Sequence, residues 1–151
     1  MKTSNEKSIG SLIHLSTLSQ YLIPFGNYLL PLVLWSSSKD KSTFIDNNGK
    51  QALNFQLSIL LYSLVALIIA IPTCVFWFIG LIEKLDVSEH HISIKQLLTT
   101  ENYTGFVILG IVTLILFAFL KISEFFLIIY ASVKSANGEL YKYPLTINFI
   151  K

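Results

Sequence analysis

Residues Phe106–Ala131 read FVILGIVTLILFAFLKISEFFLIIYA, and residues Leu57–Ile82 read LSILLYSLVALIIAIPTCVFWFIGLI. Crossing a hydrocarbon core of about 30 Å takes about 20 helical residues at a rise of 1.5 Å each. Both runs exceed that length. The solvent in which this chain is expected to fold is therefore lipid, which excludes most soluble-enzyme readings before any motif is considered.

Composition agrees. Of 151 residues, 53% are hydrophobic and 13% charged, and the mean hydropathy is +0.63. A soluble domain is usually about 45–50% apolar and about 25% charged. Outside the apolar runs no segment is long enough to bury a separate core, so residues 1–151 read as one membrane domain. The net charge of +2 comes from eleven Lys and no Arg. That is too small to argue for a nucleic-acid partner, and it removes the bidentate phosphate clamp of Arg. Cys74 is the single cysteine. It has no partner for a disulfide or a C-x-x-C site and reads as a small buried hydrophobe. Lys2 and Lys7 precede a mildly apolar stretch, as in a signal peptide. That stretch carries His14, Thr17, Ser19 and Gln20 and lacks an A-x-A cleavage site, so it reads as mature protein.

The segment 9–35 is interrupted at Pro24-Phe25-Gly26-Asn27 and again at Pro31. Proline lacks the amide donor and clashes with the preceding turn, so a helix breaks near Pro24. The segment is either one broken span or a hairpin that enters and returns. Charge favours the hairpin. With helices over 54–82 and 106–133, the loop between 9–35 and 54–82 carries Lys39, Lys41 and Lys50, and the tail 134–151 carries Lys134, Lys142 and Lys151. The loop 83–105 carries Lys84 and Lys95 against Glu83, Asp86, Glu89 and Glu101. The positive-inside rule then places the first loop, the tail and both termini in the cytoplasm, and 83–105 outside. The Asp46-Asn47-Asn48-Gly49 stretch reads as a turn or cap before the second helix. Pro72 is expected to kink that helix. In the outer loop Ile92, Ile94, Leu97 and Leu98 suggest a piece lying on the membrane surface. Asn137-Gly138 reads as a helix C-cap, with Gly where positive φ is needed.

Lys121 and Glu124 stand inside the last apolar run. At i, i+3 they share a helical face and can pair. Ionisable residues in a membrane segment cost about 2.5–3.5 kcal/mol on insertion scales, which makes function the default reading. The structural alternative is a self-neutralised pair whose Lys121 snorkels to the headgroups. Asn54, Ser58, Tyr62, Ala66 and Ala70 form an i+4 row, read as a helix-packing seam or as a polar path. His14, Asn54, Lys121 and Glu124 can converge into a polar cluster in the cytoplasmic half. His90-His91 makes a poor metal site, and Gly49-Lys50 is not a phosphate loop. No catalytic constellation, metal site or cofactor motif is visible. Asn102-Tyr103-Thr104 fits a glycosylation sequon, which matters only in a eukaryotic secretory setting.

Three stretches carry a resemblance: Pro24-Phe25-Gly26-Asn27 through Pro31-Leu32-Val33-Leu34-Trp35, then Phe44 to Gln56 with G-K-x-A-L-N-F-Q, then Asn137 to Leu145 with N-G-E-x-Y-x-Y-P. Together they resemble small bacterial membrane proteins of a domain-of-unknown-function family similar to the Tic-twenty component of chloroplast protein import. The resemblance implies no established activity for bacterial members. It does suggest that the signature residues sit at the cytoplasmic helix ends.

The resulting expectation is an all-α integral membrane bundle, with an N-terminal broken hairpin plus two long transmembrane helices, in a bacterial inner membrane. It is expected to be a non-enzymatic subunit or accessory factor of a membrane assembly, linked to protein translocation by the Tic-twenty-like resemblance. The alternative is a small oligomeric transporter with a polar path near Lys121 and Glu124. Expected partners are the lipid bilayer and other membrane proteins or further copies of the chain.

Overall fold

The computed structural model describes residues 2–85 and 100–151. All regular elements among them are helical: α1 (Ser4–Ser16), a 3-10 helix (Thr17–Tyr21), α2 (Gly26–Ser36), a 3-10 turn (Lys39–Lys41), α3 (Thr43–Leu85) and α4 (Thr100–Ala136). They fall into two compact units. One comprises Met1–Leu61 and Lys121–Lys151, the other Tyr62–Leu120.

In the first unit, α1 opens on a capping box. The Thr3 hydroxyl accepts from the Glu6 amide at 3.2 Å, and the Glu6 carboxylate accepts from the Thr3 amide at 2.6 Å. Two orphan donors are satisfied this way, so the helix starts at Ser4 rather than at Ile9. The chain breaks between Tyr21 and Gly26, around Pro24, where Phe25 takes a left-handed φ of 60°. Helix α2 then packs back on α1 and on the 3-10 helix, and the interrupted segment is a hairpin.

Helix α3 begins at Thr43, well before the expected start at 54, with the Ser42 hydroxyl accepting from the Phe44 amide at 3.2 Å. The Asp46–Gly49 stretch, expected as a turn, continues the helix. The reason is local: the Asn48 side chain donates to the Phe44 carbonyl at 2.8 Å and is buried, so its polarity is spent inside rather than on a turn. Helix α3 runs on through Pro72, and the Thr73 hydroxyl donates to the Ala70 carbonyl at 2.8 Å. Helix α4 ends where Gly138, at φ 84°, donates its amide to the Ser135 carbonyl at 2.8 Å, and Glu139 donates to Lys134 at 3.0 Å. This is the C-cap that Gly permits.

The tail beyond Gly138 has no regular structure and lies along α3. The Ile147 amide donates to the Ser58 hydroxyl at 2.9 Å. The Asn54 amide group both accepts from the Ile150 N–H at 2.8 Å and donates to the Ile150 carbonyl at 2.9 Å. One apolar core cluster of this unit is Ile13, Ile45 and Ala52, with Ile9, Leu34 and Trp35 against it.

The second unit is built differently. Phe76 stacks on Phe106 with ring centroids 4.6 Å apart. Most of its other described side chains are large, apolar and exposed, Ile68, Leu114 and Leu116 among them. Its buried Thr113 bonds its own helix, donating to the Leu109 carbonyl at 2.8 Å. Cys74, expected in the interior, is exposed. The residues over Thr43–Ile79 and Gly105–Ala136 are long and apolar enough to cross a membrane. The expected outer loop 83–105 is shorter at both ends, since α3 reaches Leu85 and α4 starts at Thr100. The readings placed on His90, His91, Ile92, Ile94, Leu97 and Leu98 lie outside the described residues.

Candidate functional site

Three sets of polar side chains, each tied to a different element, fill the interior of the first unit. The first centres on His14, which has no exposed surface. Asn48 donates through Nδ2 to Phe44, which leaves its Oδ1 to accept from His14 Nε2–H at 2.9 Å. The other ring nitrogen, Nδ1, then accepts from the Tyr143 hydroxyl at 2.9 Å. This arrangement suits a neutral imidazole, with one nitrogen donating and one accepting. Burial holds the His14 pKa down at about 4, the Asn48 bond opposing only weakly. Burial also pushes the Tyr143 phenol well above its ordinary value, with smaller contributions from Tyr141 and Glu124. Tyr143 is stacked on Phe55 with centroids 4.0 Å apart, and Tyr141 meets it edge-on at 5.2 Å.

The second set is the ion pair of α4. Lys121 Nζ lies 2.9 Å from Glu124 Oε2, and Gln20 Nε2 donates to Glu124 Oε1 at 3.1 Å. The Glu124 side chain is wholly buried, whereas that of Lys121 is 37% exposed. The carboxylate is thus held from its own helix and from the hairpin, while the ammonium reaches outward. A third set joins α2 to α3, where Asn27 Nδ2 donates to Gln56 Oε1 at 2.8 Å.

Of the four residues singled out from the sequence, the structure joins Lys121 directly to Glu124. His14 and Asn54 lie in the same unit but bond elsewhere, His14 to Asn48 and Tyr143, Asn54 to the tail at Ile150. Among the described residues no hydrogen bond links His14, Asn54 and the ion pair to one another. Asn54 and Ser58, the first two residues of the i+4 row, hold the tail. Gln20, Asn48 and Tyr143 went unnoticed as site residues. Tyr143 stood inside the N-G-E-x-Y-x-Y-P stretch, so a signal for it existed; Gln20 had none.

What this interior can do chemically is limited and definite. Glu124, His14 and Tyr143 have their near positions taken by protein partners. No group of three or more His, Cys, Asp or Glu is arranged to hold a metal among the described residues. Glu124, His14 and Tyr143 are thus held by protein partners, whereas Gln56 Nε2 and Ser135 Oγ are buried without one.

A family model described as the magnetosome magnetite crystal formation protein family (MamF/MmsF) matches residues 5–150. No curated protein and no solved structure matches. The match overturns the Tic-twenty-like resemblance and with it the translocation role. The stretches that carried that resemblance are packing devices here: Asn48 and Tyr143 hold His14, Asn54 clasps the tail, and Gly138 ends α4. Such residues report a fold, and import by plant relatives does not follow from them.

Proposed function

Because the chain belongs to the magnetosome magnetite crystal formation protein family, we propose that it is a non-enzymatic, multi-pass membrane protein of a bacterial inner-membrane compartment, acting as an accessory factor in the deposition of a mineral. The observation that carries this reading is the family match over residues 5–150, joined to two helices whose outward side chains are Leu, Ile, Val and Phe. Exposed apolar surface on that scale is tolerated in lipid and not in water. Lysine placement supports a cytoplasmic location for Lys39, Lys41, Lys134 and both termini. The saturation of Glu124 by Lys121 and Gln20 argues against the transport alternative, in which a polar path would leave that carboxylate open to a passing solute.

Two measurements test this. Carbonate extraction of membranes expressing the chain is expected to leave it in the pellet, and release would end the membrane reading. Expression in a magnetosome-forming bacterium deleted for its own family member is expected to restore crystal size toward that of the parent. Unchanged crystals with the protein correctly inserted would end the mineral role alone.

A further inference from the structure

An open cleft of about 650 Å³ lies in the first unit, between the 3-10 turn Lys39–Lys41, the start of α3 and the end of the tail. Four of its lining residues are Lys39, Lys41, Lys50 and Lys151, against Asp40 and Asp46. The two acids are not equivalent. Asp46 is already engaged, accepting from the Trp35 indole N–H at 2.9 Å and from Lys50 Nζ at 2.6 Å. That leaves Lys39, Lys41 and Lys151 with Asp40 as the one unengaged acidic side chain of the lining, and these three lysine side chains make no ion pair among the described residues. Lys39 lies 5.5 Å over the Trp35 ring, an arrangement that orients the ammonium without neutralising it. The same cleft is floored by Thr43 at the first turn of α3, the positive end of that helix dipole.

Position matters as much as charge. Trp35 closes the apolar helix α2, beside Ser36, Ser37 and Ser38, and Lys50 immediately precedes the apolar part of α3. A tryptophan at such a boundary belongs at headgroup depth. The cleft therefore opens at the level where lipid phosphates lie.

We propose that this cleft binds the phosphate of an anionic phospholipid headgroup in the cytoplasmic leaflet. The recognising groups are the ammoniums of Lys39, Lys41 and Lys151, with the Trp35 ring against the glycerol region. Lysines act as mobile point charges and lack the guanidinium fork, so the site selects anionic from zwitterionic lipid without selecting among anionic headgroups. The inference rests on the membrane reading above, so insertion is scored separately.

The full chain is reconstituted into vesicles of phosphatidylcholine carrying a minor fraction of spin-labelled phosphatidylglycerol or spin-labelled phosphatidylcholine. The relative association of the two labels with the protein is read by electron spin resonance. The expected result is a preference for phosphatidylglycerol that drops about fivefold or more in Lys39→Gln/Lys41→Gln, on the scale of surface lysines at anionic membranes. Lys134→Gln/Lys142→Gln removes the same charge outside the cleft and is expected to keep most of the preference. Helical circular dichroism checks that both doubles fold.

Equal losses in the two doubles would reduce the effect to diffuse surface charge and overturn the site. So would a wild-type protein with no preference. Displacement of the labelled lipid by inorganic phosphate at constant ionic strength would reassign the cleft to a soluble phosphate. Failure to insert into pure phosphatidylcholine would strike the membrane reading, not the cleft.

Discussion

The two units solve the same problem with opposite means. In Tyr62–Leu120 the buried threonines bond carbonyls of their own helix, and the large side chains point outward. In Met1–Leu61 with Lys121–Lys151 the polar side chains reach across 29 to 129 residues of sequence, Asn27 to Gln56 and His14 to Tyr143. The first pattern is satisfied by any apolar solvent. The second is satisfied by one set of partners only. Apolar burial is non-directional and tolerant of exchange, whereas a buried polar group left without its partner costs the full desolvation of that group. Specificity in this fold is therefore concentrated in the polar unit.

The sharpest way to break this contrast is Lys121→Met. It leaves the Glu124 carboxylate buried with Gln20 as its remaining partner. Breaking a buried pair from one side costs about 3–5 kcal/mol, and the partial exposure of Lys121 places the expected loss near the lower end. Thermal unfolding in mild detergent reads it. The double variant Lys121→Met/Glu124→Leu is expected to recover most of the loss, because no orphan charge remains. A double variant as unstable as the single one would contradict the pairing.

A somewhat smaller effect is expected from pH. The folded-state pKa of His14 is lowered to about 4 from an ordinary 6.5. Between those values the unfolded chain binds more protons than the folded one, so stability rises with pH across that window. The contribution is fully present above about pH 6.5 and is lost as pH falls toward 4, about 2 kcal/mol of it by pH 5. Unfolding midpoints measured between pH 7 and pH 5 are expected to fall in the wild type. In His14→Gln the slope is expected to flatten, at the cost of a lower midpoint throughout.

Glycine sharpens the comparison further. A Cβ on Gly49 would sit 2.2 Å from Trp35 Cδ1, whereas one on Gly105 meets nothing within 4 Å. Gly49→Ala is expected to cost about 1–3 kcal/mol by pushing Trp35 away from Asp46. Gly105→Ala is expected to gain about 0.5–1 kcal/mol as a helix-interior replacement. Smallest of all, Leu116→Val on the exposed face of α4 is expected to change stability by less than about 0.5 kcal/mol. A large loss there would mean that the second unit has a protein partner on that face.

The legible parts of this fold were those written in local chemistry. The two apolar runs announced α3 and α4, Pro24 announced the hairpin turn, and Gly138 announced the C-cap. The i, i+3 spacing of Lys121 and Glu124 was enough to foresee their pairing. The illegible parts depend on distant partners. Asn48 looked like a turn former because nothing nearby in sequence reveals that its oxygen is claimed by His14. Asn54 and Ser58 looked like a seam for another helix because an irregular tail leaves no periodic trace of where it lands. Cys74 was assigned to the interior from residue type alone, and residue type does not say which side of a helix its neighbours cover. The family resemblance fails for a related reason: stretches that build a fold do not mark a role.

The clasp between Asn54 and Ile150 has a consequence in time. The two residues are 96 apart in the chain. At about 5–20 residues per second of synthesis, the Asn54 amide is made roughly 5–20 s before the backbone it holds. For that interval the Asn54 amide lacks these two bonds, so the tail closes onto α3 only after the rest of the first unit has been made.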